Sequence, residues 1–177
     1  MSARATCDLQ PHPAGSRRRP VASVTTGFTS AVGILYDAAN IWVADQSANV
    51  LLKLDSAGTI LQTVTMAGGP QFPAFDGANI WVANGASSSV SVVRASNGAV
   101  LQTLTGNGLS TPKTAAFDGQ RVLVTNYFGH SVSLWKAADL TPLGFFPTGA
   151  GTNPQGACSD GVNFWITLQG TGQLARF

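Results

Sequence analysis

Apolar residues along this chain come in short runs broken by turn-forming clusters, and the runs return in the same order about every 40 residues. The phrase FDGANIWVAN (75–84) nearly recurs as YDAANIWVAD (36–45) and, more loosely, as FDGQRVLVTN (117–126) and SDGVNFWITL (159–168). Its aspartate recurs as Asp37, Asp76, Asp118 and Asp160, at intervals of 39, 42 and 42 residues. Within the second unit, QFPAFD, NIWVAN, SVSVVRAS and AVLQTLT are four runs rich in β-branched and apolar residues, separated by DGA, NGASS and SNG. Such Gly, Asn and Ser clusters supply the backbone angles of tight reversals. Each unit therefore predicts a four-stranded antiparallel meander, strands A to D, and no helical period competes with it.

Strand B settles how the meanders pack. Ile41, Ile80, Val122 and Phe164 alternate with Trp42, Trp81, Leu123 and Trp165, so both faces of the strand are apolar. A sheet with one wet face would alternate apolar with polar residues, whereas a sheet clamped between two others is apolar on both sides. The expectation is an all-β β-propeller built from four repeats, with the tryptophans packed between blades.

The segment PVASVTT (20–26) aligns with the D strands TILQTVT, AVLQTLT and TPLGFFP, while the fourth unit runs only as far as its C strand at GQLARF. Residues 20–26 are thus expected to complete the last blade, and the propeller domain is placed at 20–177. Residues 1–19, rich in Pro, Arg and small polar side chains, read as a disordered extension. An RRR run precedes PVASVTTGF, which is too polar for the apolar core of an export signal. No segment approaches the ~18 apolar residues of a membrane span, so the chain is expected to be soluble, with its compartment open.

Hydrophobic residues make up 44% of the chain and charged residues 10%, a globular balance. The net charge of +2 is misleading, because the first twenty residues carry +3 and the remainder −1. The folded part offers no basic face interleaved with aromatics, which argues against nucleic acid as a partner. Strand C does carry Lys53, Arg94, Lys136 and Arg176 at intervals of 41, 42 and 40 residues, read as one repeated solvated position that discourages edge pairing. Cys7 and Cys158 form neither a disulfide framework nor a metal pattern, and Cys158 aligns with Ala74 and Ala116, so a small buried thiol is expected.

Candidate chemistry is sparse. The chain contains no glutamate, and its histidines are His12 and His130. The repeated aspartates precede A-to-B turns, where an Asp side chain accepts the N–H two residues on. His130 falls in the turn between strands B and C, with no evident partner. No calcium-loop spacing, nucleophile elbow or strand-to-helix phosphate loop is present. No metal or other cofactor is therefore expected.

FDGANIWVAN, together with PKTAAFDGQRVLVTN and the following SVSLW, resembles the YVTN-type β-propeller repeat family, related to NHL-type and virginiamycin B lyase-like propellers. The resemblance covers 20–177 and implies a propeller, generally with more blades than the four units here. It raises a metal-assisted lyase or a lactonase-like hydrolase as an alternative. That lyase activity in the family relies on a cluster of His and Glu, and one histidine in the repeats cannot both hold a divalent ion and leave a base.

The leading expectation is a non-catalytic binding or interaction scaffold. In a propeller the D-to-A and B-to-C loops emerge on one rim, and here that rim would hold Asp45, Asn84, Lys113, Asn126, Tyr127, His130, Asn153 and Gln155, with Gln46 and Gln169 beside them. Amides, one tyrosine and one lysine suit a protein partner or a polar or carbohydrate ligand. A homodimer completing a larger ring, and a fragment of a longer propeller, remain alternatives for how the array is completed.

Overall fold

The computed structural model describes residues 23–24 and 27–177, and the descriptions below concern those residues. They form fifteen strands and no helix, so no helix is long and apolar enough to cross a membrane. Blade 1 comprises β1 (Ala31–Tyr36), β2 (Ile41–Asp45), β3 (Val50–Leu54) and β4 (Ile60–Thr65). Blade 2 comprises β5 (Ala74–Phe75), β6 (Asn79–Asn84), β7 (Ser89–Arg94) and β8 (Val100–Leu104). Blade 3 comprises β9 (Pro112–Phe117), β10 (Arg121–Asn126), β11 (Ser131–Lys136) and β12 (Pro142–Pro147), and blade 4 has β13 (Pro154–Ser159), β14 (Phe164–Leu168) and β15 (Gln173–Arg176). Every sheet is an antiparallel meander in chain order, three with four strands and the last with three. The all-β propeller read from the repeat is the fold observed. Most of 20–26, the segment expected to supply a fourth strand to blade 4, lies outside the described residues. Val24, which is described, packs against Gly58 of blade 1.

The A-to-B turn shows why the phrase recurs. Asp37 Oδ1 accepts the N–H groups of Ala39 and Asn40, and Asp76, Asp118 and Asp160 repeat this with Ala78 and Asn79, Gln120 and Arg121, and Val162 and Asn163. The residue after the aspartate takes positive φ, supplied by Gly77 (98°), Gly119 (103°) and Gly161 (90°) and, at some strain, by Ala38 (73°). The second carboxylate oxygen does something the spacing alone did not suggest. In blades 1, 2 and 4 it accepts the indole N–H of the tryptophan five residues on, at 2.7 Å for Trp42 and Trp81 and 2.8 Å for Trp165. Blade 3 has Leu123 there, and Asp118 Oδ2 instead takes Arg121 Nε at 2.8 Å. One aspartate thus closes a turn and orients the tryptophan of strand B; Trp42 and Trp81 pack between blades as expected, whereas Trp165, expected to do the same, is only half-buried because no blade covers it among the described residues.

The core lies between blades. Trp42, Ala44 and Leu51 of blade 1 pack on Ile80, Val82 and Val93 of blade 2. Trp81, Ala83 and Val90 pack on Val122, Val124 and Trp135, and Leu123, Val132 and Leu134 pack on Phe164, Ile166 and Leu168. Strand B therefore has two functions by alternation: its tryptophan position faces the following blade and its flanking aliphatics face the preceding one. At the inner edge, Gly33 meets the backbone carbonyl of Gln71, so a side chain there would hold blades 1 and 2 apart.

Two expectations change here. The strand C cations do not share one position: Lys53 pairs with Trp42 and Arg176 with Trp165, whereas Arg94 pairs with Asn79 and Lys136 with Arg121, two residues further along. Near-equal intervals concealed the offset because the third strand is six residues long in blades 2 and 3 and shorter in blades 1 and 4. Cys158, expected to be a buried thiol, is exposed. It does pair with Trp165 as Ala74 does with Trp81 and Ala116 with Leu123. Among the described residues, however, no apolar cluster joins blade 4 to blade 1, so the face of blade 4 that carries Cys158 is uncovered. The four blades form an open array with three stacked interfaces.

Candidate functional site

The D-to-A and B-to-C loops do meet on one rim, and a repeated latch holds them together. Each B-to-C turn of blades 1 to 3 ends in a residue of positive φ: Asn49 (56°), Ser88 (48°) and His130 (46°). In each case the side chain accepts an N–H from the following D-to-A loop. Asn49 Oδ1 takes Gly69 at 2.7 Å, Ser88 Oγ takes Thr111 at 3.3 Å, and His130 Nδ1 takes Asn153 at 3.3 Å. The equivalent residue of blade 4 is Gly172 (φ 66°), which keeps the backbone angle and has no acceptor to offer. His130 is therefore half-buried with its Nδ1 engaged, rather than a solvated turn histidine without a partner. Among Asn, Ser and His, the shared property is an acceptor atom on a short side chain.

The candidates divide by what their polar atoms already do. Asp45, Asn84 and Asn126 occupy one position, the last residue of strand B, and all three are fully buried. Asp45 accepts the N–H groups of Thr29, Ser30 and Ala48. Burial alone would push its carboxyl up, but those N–H donors outweigh it and hold the group below the usual carboxylate range. Asn84 Nδ2 donates to Ser89 and Ser91, and Asn126 Nδ2 donates to Ser131 and Ser133 in the same pattern. Asn126 Oδ1 accepts the N–H of Ser110 at 3.4 Å, whereas Asn84 Oδ1 has no partner. Asn84 and Asn126 brace their own turns, and Asp45 ties its turn to the segment entering β1.

Lys113, Tyr127, His130, Asn153 and Gln155 remain half-buried at the surface of the rim. Lys113 Nζ stands 5.7 Å from the centroid of the Tyr127 ring, and that ring meets Phe128 edge-on at 5.0 Å. Phe128, which residue-type reasoning passed over, is 66% exposed and is the most prominent apolar side chain of the rim. Gln71 was also missed. It occupies in blade 2 the place of Lys113 in blade 3 and Gln155 in blade 4, each following a buried proline: Pro70, Pro112 and Pro154. That Pro-Gln or Pro-Lys pair recurs every 42 residues and was the available signal. Gln71 itself is buried, with its amide turned to Gly69.

The opposite rim holds two grooves. One, lined by Asp76, Asn79, Phe117, Arg121 and Lys136, opens between blades 2 and 3, and the other, lined by Asp37, Lys53, Phe75 and Arg94, opens between blades 1 and 2. Both are built from the turn aspartates and strand C cations, and Lys53 Nζ is engaged with the Ala95 carbonyl at 2.9 Å.

Carboxylate chemistry is constrained throughout. Each of the seven described aspartates accepts backbone N–H groups of a turn or loop: the four repeat aspartates as above, Asp45 as above, Asp55 from Ala57 and Thr59, and Asp139 from Thr141. Asp139 also meets Lys136 at 2.9 Å, and its carboxyl is lowered to about 2 by that contact and the Thr141 bonds. Asp160 is lowered by the Asn163 N–H, the Trp165 indole and the Val162 N–H. Among the described residues no three His, Cys, Asp or Glu side chains converge as a metal site.

No family model matches the chain, and no curated protein matches it. Solved structures do. A streptogramin B lyase superimposes with a TM-score of 0.70 at 15% identity, covering 82% of this chain and 50% of that one. A catalytically inactive variant of virginiamycin B lyase from Staphylococcus aureus with quinupristin gives 0.67 at 14% identity, covering 77% and 47%. Hydrazine synthase from Kuenenia stuttgartiensis gives 0.72 at 18%, covering 89% and 49%. The neighbours include virginiamycin B lyase-like β-propellers, and at these identities the likeness speaks for the fold. The chain spans about half the length of these structures.

Proposed function

We propose that this chain is a non-catalytic β-propeller scaffold of the YVTN and NHL-like kind, and that it binds a protein or a polar, carbohydrate-like ligand on the rim around blade 3. One observation carries the reading: the described carboxylates and Nδ1 of His130 are already engaged in holding turns and loops. All described carboxylates brace turns or loops, the chain has no glutamate, and His130 Nδ1 is part of the loop latch. What the rim presents instead is a contact surface of an exposed Phe128, Tyr127 with Lys113 over its ring, and the amides of Asn153 and Gln155. Aromatic faces flanked by amides and one cation suit sugar rings and protein side chains, and those contacts need no reacting group.

A panel of immobilised oligosaccharides, probed with the chain and with its Phe128→Ala and Tyr127→Ala variants, tests the site. Binding weakened about tenfold or more by either substitution, with Leu143→Ala on blade 3's outer strand as an unaffected control, supports it; a loss of ~1.4 kcal/mol corresponds to that factor. Binding indifferent to both variants removes the rim assignment. Metal-dependent turnover of quinupristin or of a lactone by the chain would overturn the non-catalytic reading.

A further inference from the structure

The two end faces of the array are opposite halves of one interface that the chain builds three times internally. Blade 4 presents its following-blade face, carrying Cys158, Trp165, Thr167 and Leu174, and blade 1 presents its preceding-blade face, where Ile34 stands open while Val43, Leu52 and Leu54 lie buried in a cluster with Phe28. Trp165 is the register equivalent of Trp42 and Trp81, which are fully buried, yet it is only half-buried. Leu174, equivalent to the fully buried Leu51 and Val90, is 62% exposed, and at the other end Ile34 is 72% exposed. The open face of blade 4 and the exposed Ile34 edge of blade 1 are apolar surfaces that call for a cover.

A second, independent detail concerns the cation paired with each tryptophan. In blade 1, Lys53 lies over Trp42, with Nζ 5.2 Å from the ring centroid, and reaches across to the Ala95 carbonyl of blade 2. In blade 4, Arg176 lies over Trp165 at 6.0 Å in the same register, and among the described residues its guanidinium meets no carbonyl across an interface. The end of the array thus carries both the apolar residues and the polar reach of an inter-blade contact.

We infer that these faces dock a second copy of this chain, blade 4 of each copy against blade 1 of the other, closing an eight-bladed ring of two chains. A second copy is the occupant that satisfies both faces of both chains at once, because the end faces are of complementary kind and twofold symmetry closes the pair. Arg176 then caps a backbone carbonyl in the turn after β3 of the second copy, as Lys53 does for blade 2. Closure also shields both end sheets from open-ended stacking.

Light scattering on the purified full chain reads the mass directly, and the expected value is twice the 18.2 kDa of one chain. Leu174→Arg and Ile34→Arg, at opposite end faces, should each return it to one chain mass. Both positions are exposed in the single chain, so a retained β-type circular dichroism spectrum in either variant is enough to read the result. In a Cys7→Ser background, Cys158 should lose its reactivity toward a thiol probe as the pair forms and regain it in Leu174→Arg. A wild-type chain that stays at one chain mass up to tens of micromolar overturns the inference, as does a ladder of larger species, which would mean open stacking. A doubled mass indifferent to both substitutions, or Cys158 equally reactive in wild type and Leu174→Arg, overturns it as well.

Discussion

At the scale of single residues, the repeat is a set of side chains that each do two things. Asp76 closes a reversal through one oxygen and orients Trp81 through the other, and His130 holds positive φ while latching the next loop. Replacing His130 by Asn should therefore be nearly neutral, since Asn49 already performs the same task, whereas His130→Val should cost about 2 kcal/mol through lost bonding and a strained left-handed angle; urea melts of the two variants check this. The aspartates make stability depend on acid. The carboxyls of Asp37 and Asp118 are pushed up by burial but held lower overall by turn N–H groups and by Trp42 and Arg121 respectively, and Asp139 is lowered to about 2. Groups whose folded pKa is depressed stabilise the fold above their unfolded value near 3.8 and lose that contribution as pH falls through the folded one. The urea midpoint should thus be flat from about pH 6 to 8 and fall progressively below about pH 4; a midpoint unchanged at pH 3 would contradict the turn assignments.

At the scale of elements, a strand's energy depends on how many blades touch it. Strand β6 is buried on both faces, and Trp81→Ala should cost about 3–5 kcal/mol, the range for removing a large buried aromatic. Trp165 stands at the same register on β14 with one side uncovered, so Trp165→Ala should cost less than half as much in the dissociated chain. Equal losses at the two sites would show that the register does not determine burial. The loss of a shared position for Lys53, Arg94, Lys136 and Arg176 belongs to this scale too, because a cation's neighbours follow from strand pairing rather than from its distance along the chain.

At the scale of the whole molecule, stability is distributed as in a stack, with each blade contacting only its neighbours. Blades 2 and 3 are packed between two other blades, blade 4 against one, and blade 1 against one, with Phe28 covering Val43, Leu52 and Leu54 on its other face. Amide exchange in the dissociated chain should then be slowest in β6, β7, β10 and β11 and faster in β3 and β15; uniform protection across all four blades would speak for a closed four-membered ring. The rim follows from the same stacking, since each latch ties the turn of one blade to the loop entering the next.

The sequence by itself determined the all-β class, the blade repeat and which face of strand B carries each tryptophan. These rest on local turn chemistry and on alternation with a period of two, which need no knowledge of distant residues. It also placed Lys113, Tyr127, His130, Asn153 and Gln155 near one rim, because loop order follows strand order. Only the tertiary structure separated Asp45, Asn84 and Asn126, buried and hydrogen-bonded, from the surface residues beside them, since a polar side chain's partners depend on where neighbouring segments bring hydroxyls and N–H groups. The exposure of Cys158 and Leu174 was likewise decided in three dimensions: a repeat states what each position would pack against, and the next blade's presence decides whether it does.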